Sequence, residues 1–375
     1  MRRELERIEV PDEHGARERA WPVVQSAFAE RDPVERPSRR LRPAVALAVV
    51  LAAVAAAFSA PGQAVIDELR EAVGVERAQP ALFSLPSSGK LLVASDAGVW
   101  VVQQDGSKRL LGGYREATWS PFGRFVAVVR ANELAALEPD GDVRWTLSRP
   151  GARSPRWTGT ETDTRIAYVD RTGLRVVAGD GTGDRLLVPG VRGPVAWRPG
   201  TQLELAYVTG WEIRVEDVET GRIVWRASRG STRSPIRALE WSGDGRRLVV
   251  VQPFALRVYD TRGRVVAQDD PSDATRDADA AFRPGTREVA VIRLHGSQST
   301  VFQLSTGRTH FNGTGKFREV TWAPDGRWLL VSWPTADQWV FVRIGAGKKL
   351  RAVANVSEQF RSRSFPRVEG WCCAR

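Results

Sequence analysis

The stretch VTWAPDGRWLLVS, from Val320 to Ser332, reads as a hairpin. Trp322 closes one apolar run, Pro324, Asp325 and Gly326 supply turn chemistry, and Trp328 to Val331 opens the next run. Glycine at such a turn tolerates the positive φ that the bend needs. The same design recurs as LEWSGDGRRLVVV (Leu239 to Val251) and ATWSPFGRFVAVV (Ala117 to Val129). A third run follows, as in LRVYD from Leu256 to Asp260, and a glycine turn leads into a fourth at Val265 to Ala267. Seven large apolar residues lead such units: Leu85, Trp119, Trp157, Trp197, Trp241, Phe282 and Trp322. Seven later turn glycines keep step with them: Gly106, Gly141, Gly181, Gly221, Gly263, Gly307 and Gly347.

Units of roughly forty residues, each offering about four short strands, cannot bury their faces alone and must stack on their neighbours. The expected fold is all-β, a seven-bladed β-propeller over residues 80–375, with each lead aromatic filling the wedge between two blades. Before the tail, only six lead strands carry their Trp or Phe. The tail, FPRVEGWCC from Phe365 to Cys373, supplies the seventh, with Trp371 in the lead position and no strand after it. It is expected to dock inside the first blade and close the ring, leaving no open sheet edge and making Leu85 a displaced lead residue. Three units depart from the pattern: no glycine stands four after Trp157, and Gly200 and Gly285 come one residue early.

These units resemble bacterial WD-repeat-like and TolB-type propeller repeats, whose typical copy runs aromatic, Ser, Pro, Asp, Gly and then a β-rich run. The resemblance implies a propeller scaffold whose activity sits in its loops. The His and Trp-Asp pairs of eukaryotic WD repeats are absent, so partners of that class are not implied.

Ahead of the propeller, Pro43 to Ala60 (PAVALAVVLAAVAAAFSA) carries no charge and approaches the ~20 residues that cross a bilayer. It is expected to be a single transmembrane helix. Arg36, Arg39, Arg40 and Arg42 precede it, and Asp67, Glu68 and Glu71 follow. Positive-inside logic then places residues 1–42 in the cytoplasm and the propeller outside the cell membrane. Residues 61–79, with Val65, Leu69 and Val73 at every fourth position, read as an amphipathic juxtamembrane helix and linker. Residues 1–42 are too few for a core of their own and are expected to be a short helix or disordered.

The net charge of +11 comes almost wholly from arginine scattered through the chain, which gives no concentrated footprint for nucleic acid. No cofactor is expected. His14, His295 and His310 stand apart, and Cys372 and Cys373 are adjacent and alone, so neither metal-ligand spacing nor a long-range disulfide is available. The cysteines read as small packing residues of the closing strand. Asp269-Asp270 and Asp277-Asp279 read as solvated loop pairs. No Gly-x-Ser-x-Gly elbow, phosphate loop or dinucleotide fingerprint appears, so the chain reads as a non-enzyme.

One constellation points to binding. Arg115, Arg153, Arg237, Arg318 and Arg367 each stand four residues before a lead tryptophan, while Arg192 and Arg276 lie one or two positions farther back. Equivalent positions on a propeller form a ring, here at one mouth of the central channel, and guanidinium forks suit carboxylate or phosphate. The plainer alternative pairs them with Glu116, Glu240, Glu319 and Glu369. The expected function is therefore a membrane-anchored, extracytoplasmic binding, sensor or scaffold module for a protein or an anionic envelope ligand. A second reading, resting on layout alone, is an anti-sigma-like regulator whose N-terminal segment holds a cytoplasmic transcription factor. A third is a propeller hydrolase.

Overall fold

A computed structural model describes residues 75–76, 84–200, 203–230, 234–345, 347 and 349–373. They belong to a compact unit running from Ile66 to Arg375. The strands form seven sheets, six of four strands and one of five. Second strands start at Lys90, Val126, Thr164, Glu204, Arg247, Val289 and Trp328, each within a residue of its place in the repeat. All seven later turn glycines carry positive φ, between 68° and 105°.

Blade 1 joins the two ends of the propeller. Its inner strand is Arg367–Cys372, which pairs antiparallel with Lys90–Ser95 so that Trp371 lies opposite Leu91. The outer strands Gly98–Val102 and Lys108–Gly112 follow. Leu85 forms no strand; it packs beside Leu91, Trp100 and Trp371, with its N–H donating to the Gln104 carbonyl. Blades 2 to 7 open on the inner strands Glu116–Trp119, Arg153–Gly159, Val195–Trp197, Ala238–Trp241, Thr275–Phe282 and Val320–Trp322. In blade 7, Val75–Glu76 pairs parallel with Leu350–Val353 as a fifth strand. That pair is all that is described of residues 61–79. The expected N-terminal segment 1–42 and membrane helix 43–60 lie outside the described residues, among which no helix is long and apolar enough to cross a membrane.

Seven apolar clusters hold the ring, and each straddles two adjacent blades. Each lead aromatic packs on the blade before its own: Trp197 on Ala167, Val169 and Leu174 of blade 3, and Trp322 on Ala290, Ile292 and Val301 of blade 6. Trp119, Trp197, Trp241, Phe282, Trp322 and Trp371 are 4–8 % exposed. Trp157 is only half-buried, stacked on Phe125 of blade 2 at 6.2 Å. Its unit has a turn glycine neither three nor four residues on.

The two units with an early glycine carry a different joint. Both read aromatic-Arg-Pro-Gly-Thr, at Trp197–Thr201 and Phe282–Thr286. Arg198 Nε donates to the Gly245 carbonyl of the next blade at 2.6 Å, its guanidinium lies 5.6 Å from the Trp241 ring centre, and Nη1 pairs with Glu204 at 2.8 Å. Arg283 repeats this with Gly326 at 2.7 Å, Trp322 at 5.5 Å and Glu288 at 2.8 Å. What looked like a turn irregularity is a latch between blades 4 and 5 and between blades 6 and 7.

One further expectation needs correction. Asp277 is not a solvated loop residue: it is 0 % exposed, bonded at 3.0 Å to Arg293, which also binds Asp269. Burial raises its carboxyl to about 7 despite that partner. Cys372 packs as expected, on the apolar cluster between blades 1 and 2, and is joined to Cys373 at the end of the closing strand.

Candidate functional site at the arginine mouth

Antiparallel blades joined end to end send every inner strand through the ring in the same direction. All inner strands therefore start at one face, which also carries the turns between second and third strands. Arg153 and Arg367 are the first residues of their inner strands, Arg276 the second, and Arg115 and Arg237 immediately precede theirs. Arg318 lies two residues before Val320, and Arg192 three before Val195. Chain direction thus brings all seven to one mouth.

Their bonds divide them. Arg367 Nη2 donates to the Arg115 carbonyl at 2.8 Å, Arg318 reaches the Phe365 carbonyl at 3.3 Å, and Arg192 reaches the Arg171 carbonyl at 3.0 Å. These three brace loops of the mouth, and two also pair with carboxylates: Arg318 with Glu319 at 3.2 Å and Arg367 with Glu369 at 3.0 Å. Arg115, Arg237 and Arg276 are exposed and make no side-chain hydrogen bond or ion pair among the described residues. The half-buried Arg153 likewise makes none. Pairing with neighbouring glutamates therefore accounts for only part of the ring.

Below the arginines the inner strands carry a belt of acids, one, two or three residues before the lead aromatic: the four glutamates named above as neighbours of the arginines, joined by Asp279. Glu116 accepts from the Ser154 N–H at 2.6 Å, Glu240 from Phe282 at 3.1 Å, Asp279 from Val320 at 3.0 Å and Glu319 from Val368 at 3.1 Å. Each carboxyl ties its blade to the backbone of the next. Walled by protein, three of the belt's carboxyls have their pKa pushed up by desolvation: Glu240 to about 8, Asp279 to about 7 and Glu369 to about 7. Glu319 is also pushed up, again chiefly by desolvation. Arg156 faces this belt and opposes the shift at Glu240 and Glu369.

A cationic rim over an acidic bore has a simple consequence. Anionic groups are attracted to the exposed arginines of the rim, so an acidic ligand would sit across the mouth. The opposite face is different. Between the first turns of blades 2 and 3 lies a cleft of about 540 Å³ lined by Phe122, Phe125, Trp145 and Trp157. The strand-end pair Lys90 and Cys372 of blade 1 also lies on that face. Among the described residues, no group of His, Cys, Asp or Glu is arranged to hold a metal ion.

No family model and no curated protein matches this chain. Solved structures do match. The C-terminal WD40 domain of Sif2 superposes with a TM-score of 0.54 at 13 % identity, covering 75 % of this chain and 90 % of that one. KlHsv2 with loop 6CD replaced by a Gly-Ser linker superposes with a TM-score of 0.53 at 11 % identity, covering 74 % and 98 %. At such identities the likeness is one of fold, and the fold is that of a WD40-type β-propeller.

Proposed function

We propose that this propeller is a non-catalytic binding scaffold that takes an acidic partner across its arginine mouth. The observation that carries the reading is the rim of arginines at one mouth, of which Arg115, Arg237 and Arg276 are exposed and have no carboxylate partner among the described residues. Kinship with TolB-type repeats and a membrane anchor at residues 43–60, with the propeller outside the cell, belong to the same reading. They rest on the repeat pattern and on the uncharged stretch flanked by arginines.

The test uses the arginines that brace nothing. Arg115→Ala, Arg237→Ala and Arg276→Ala combined in the full-length protein should weaken binding of poly-glutamate by at least about tenfold at low salt, with an unchanged melting curve. Equal affinity would remove the mouth as the site. Protease added to intact, wall-stripped cells should cleave the propeller; protection until lysis would refute the anchored arrangement.

A further inference from the structure

The arginine-bearing face also displays two large apolar side chains at the same turn of successive blades. Trp211 and Phe254 lie between the second and third strands of blades 4 and 5, and are 57 % and 44 % exposed. Resting on the reading above, we propose that the acidic partner is a protein segment with aromatic or aliphatic anchors, and that Trp211 and Phe254 are the points on which those anchors dock.

The backbone of both turns is held by bonds to neighbouring strands. The Trp211 carbonyl accepts from the Arg229 N–H at 2.9 Å, and the Arg229 guanidinium stands 6.0 Å from the indole centre. The turn bearing Phe254 is fixed by the Asp277 N–H, which donates to the Pro253 carbonyl at 2.8 Å. Aromatics beside arginine, on turns whose backbone is already fixed, are the composition from which binding hot spots are built, since no loop has to be ordered at docking.

Charge decides the kind of partner. Around this edge Arg192, Arg237 and Arg276 are exposed, while most nearby acids are already paired. Glu212 binds Arg214 at 2.7 Å, Asp270 binds Arg257 at 2.5 Å, and Asp269 binds Arg293. Asp273 alone among these acids has no ion pair among the described residues. The patch is therefore apolar at two points and cationic around them, and its complement is acidic with apolar side chains interspersed. A single-stranded nucleic acid could stack on aromatics too, but these two sit on a ring of arginines rather than along a linear basic track.

Full-length protein would be titrated against fluorescent poly-glutamate, a glutamate–tyrosine copolymer of equal length, and oligothymidylate. The copolymer should bind about tenfold tighter than poly-glutamate. Trp211→Ala with Phe254→Ala should erase that advantage while leaving poly-glutamate affinity and the melting curve unchanged. Equal binding of the two polypeptides by the native protein, or an advantage that survives the double substitution, would overturn the docking role and leave the arginine mouth standing. Preferential binding of oligothymidylate would overturn the protein-segment assignment. Binding of none of the three would overturn the arginine mouth itself, and the docking role with it.

Discussion

The joint between blades 6 and 7 and the joint between blades 2 and 3 start from the same repeat and end differently. At the first, Arg283 follows the lead aromatic, reaches the Gly326 carbonyl and covers Trp322, whose Nε1 donates to the Ala281 carbonyl at 3.2 Å. At the second, the residue after the lead aromatic is Ser120, whose hydroxyl accepts from Phe125 N–H within its own turn. Nothing crosses to blade 3 at that position, Trp157 stays half-buried, and the cleft opens. A latch therefore needs both the arginine and a receiving glycine carbonyl; a serine alone does not open a joint, since Ser242 makes the same turn bond as Ser120 while Phe282 beside it is 4 % exposed.

Truncating the two lead tryptophans should show the largest difference. Trp322→Ala is expected to cost about 3–5 kcal/mol, and Trp157→Ala about 1–3 kcal/mol, because less surface is buried at the open joint. Equal losses in denaturant titrations would mean the two joints are equally tight. Next in size, Arg283→Ala should cost about 2–3 kcal/mol by removing a charge-assisted bond to carbonyl, an ion pair and the ring contact. Arg283→Lys should recover only part of it, since ammonium lacks the planar fork.

The acid belt spans latched and open joints alike, so pH asks whether all blades loosen together. In the folded protein Glu240, Asp279 and Glu369 hold their protons to about 8, 7 and 7, above their unfolded values. Between the ordinary carboxyl range and those values the folded state binds more protons, so stability falls as pH rises through that window. Asp170, Asp184 and Asp244 are shifted down by hydrogen bonds and nearby arginines, and their contribution is lost only as pH falls below their ordinary value of 3.8. The melting temperature should therefore peak in the mildly acidic range and drop a few degrees by pH 8, at about 2–4 °C per kcal/mol. Glu240→Gln should flatten the alkaline side; an unaltered slope would exclude the belt as its source. The smallest effect expected is from Ser120→Arg, within about 0.5 kcal/mol, because blade 3 has no glycine carbonyl at the receiving position. A gain matching the Arg283→Ala loss would show that residue type alone makes the latch.

Most of the ring was legible because its cues are periodic. Lead aromatics, turn glycines and the unpaired tail strand around Trp371 recur at one spacing, and a large side chain at that spacing has few places to go except between blades. The latches were not legible: Arg198 and Arg283 sat in units whose glycines looked misplaced, and their acceptors lie a whole blade away in sequence. The acid belt was legible in part: Glu116, Glu240, Glu319 and Glu369 stood out beside the arginines, but Asp279 read as a loop residue and the bonds of Glu116, Glu240 and Glu319 to the next blade did not show. Glu116, Glu240, Asp279, Glu319 and Glu369 occupy three different offsets from the lead aromatic, so only chain direction through the ring brings them together. Of the arginine mouth, sequence gave the positions but not the division between Arg318 and Arg367, which brace loops, and Arg115 and Arg237, which do not.

The closing strand also orders events in time. During synthesis Lys90–Ser95 leaves the ribosome among the first strands of the propeller, but its inner partner Arg367–Cys372 comes last. Until then the nascent ring carries one unpaired inner edge and one uncovered apolar wedge beside Leu91 and Trp328, the kind of surface on which newly made chains stick to one another. Translation stalled a few codons before Trp371 would release a nearly complete propeller in its most adhesive state.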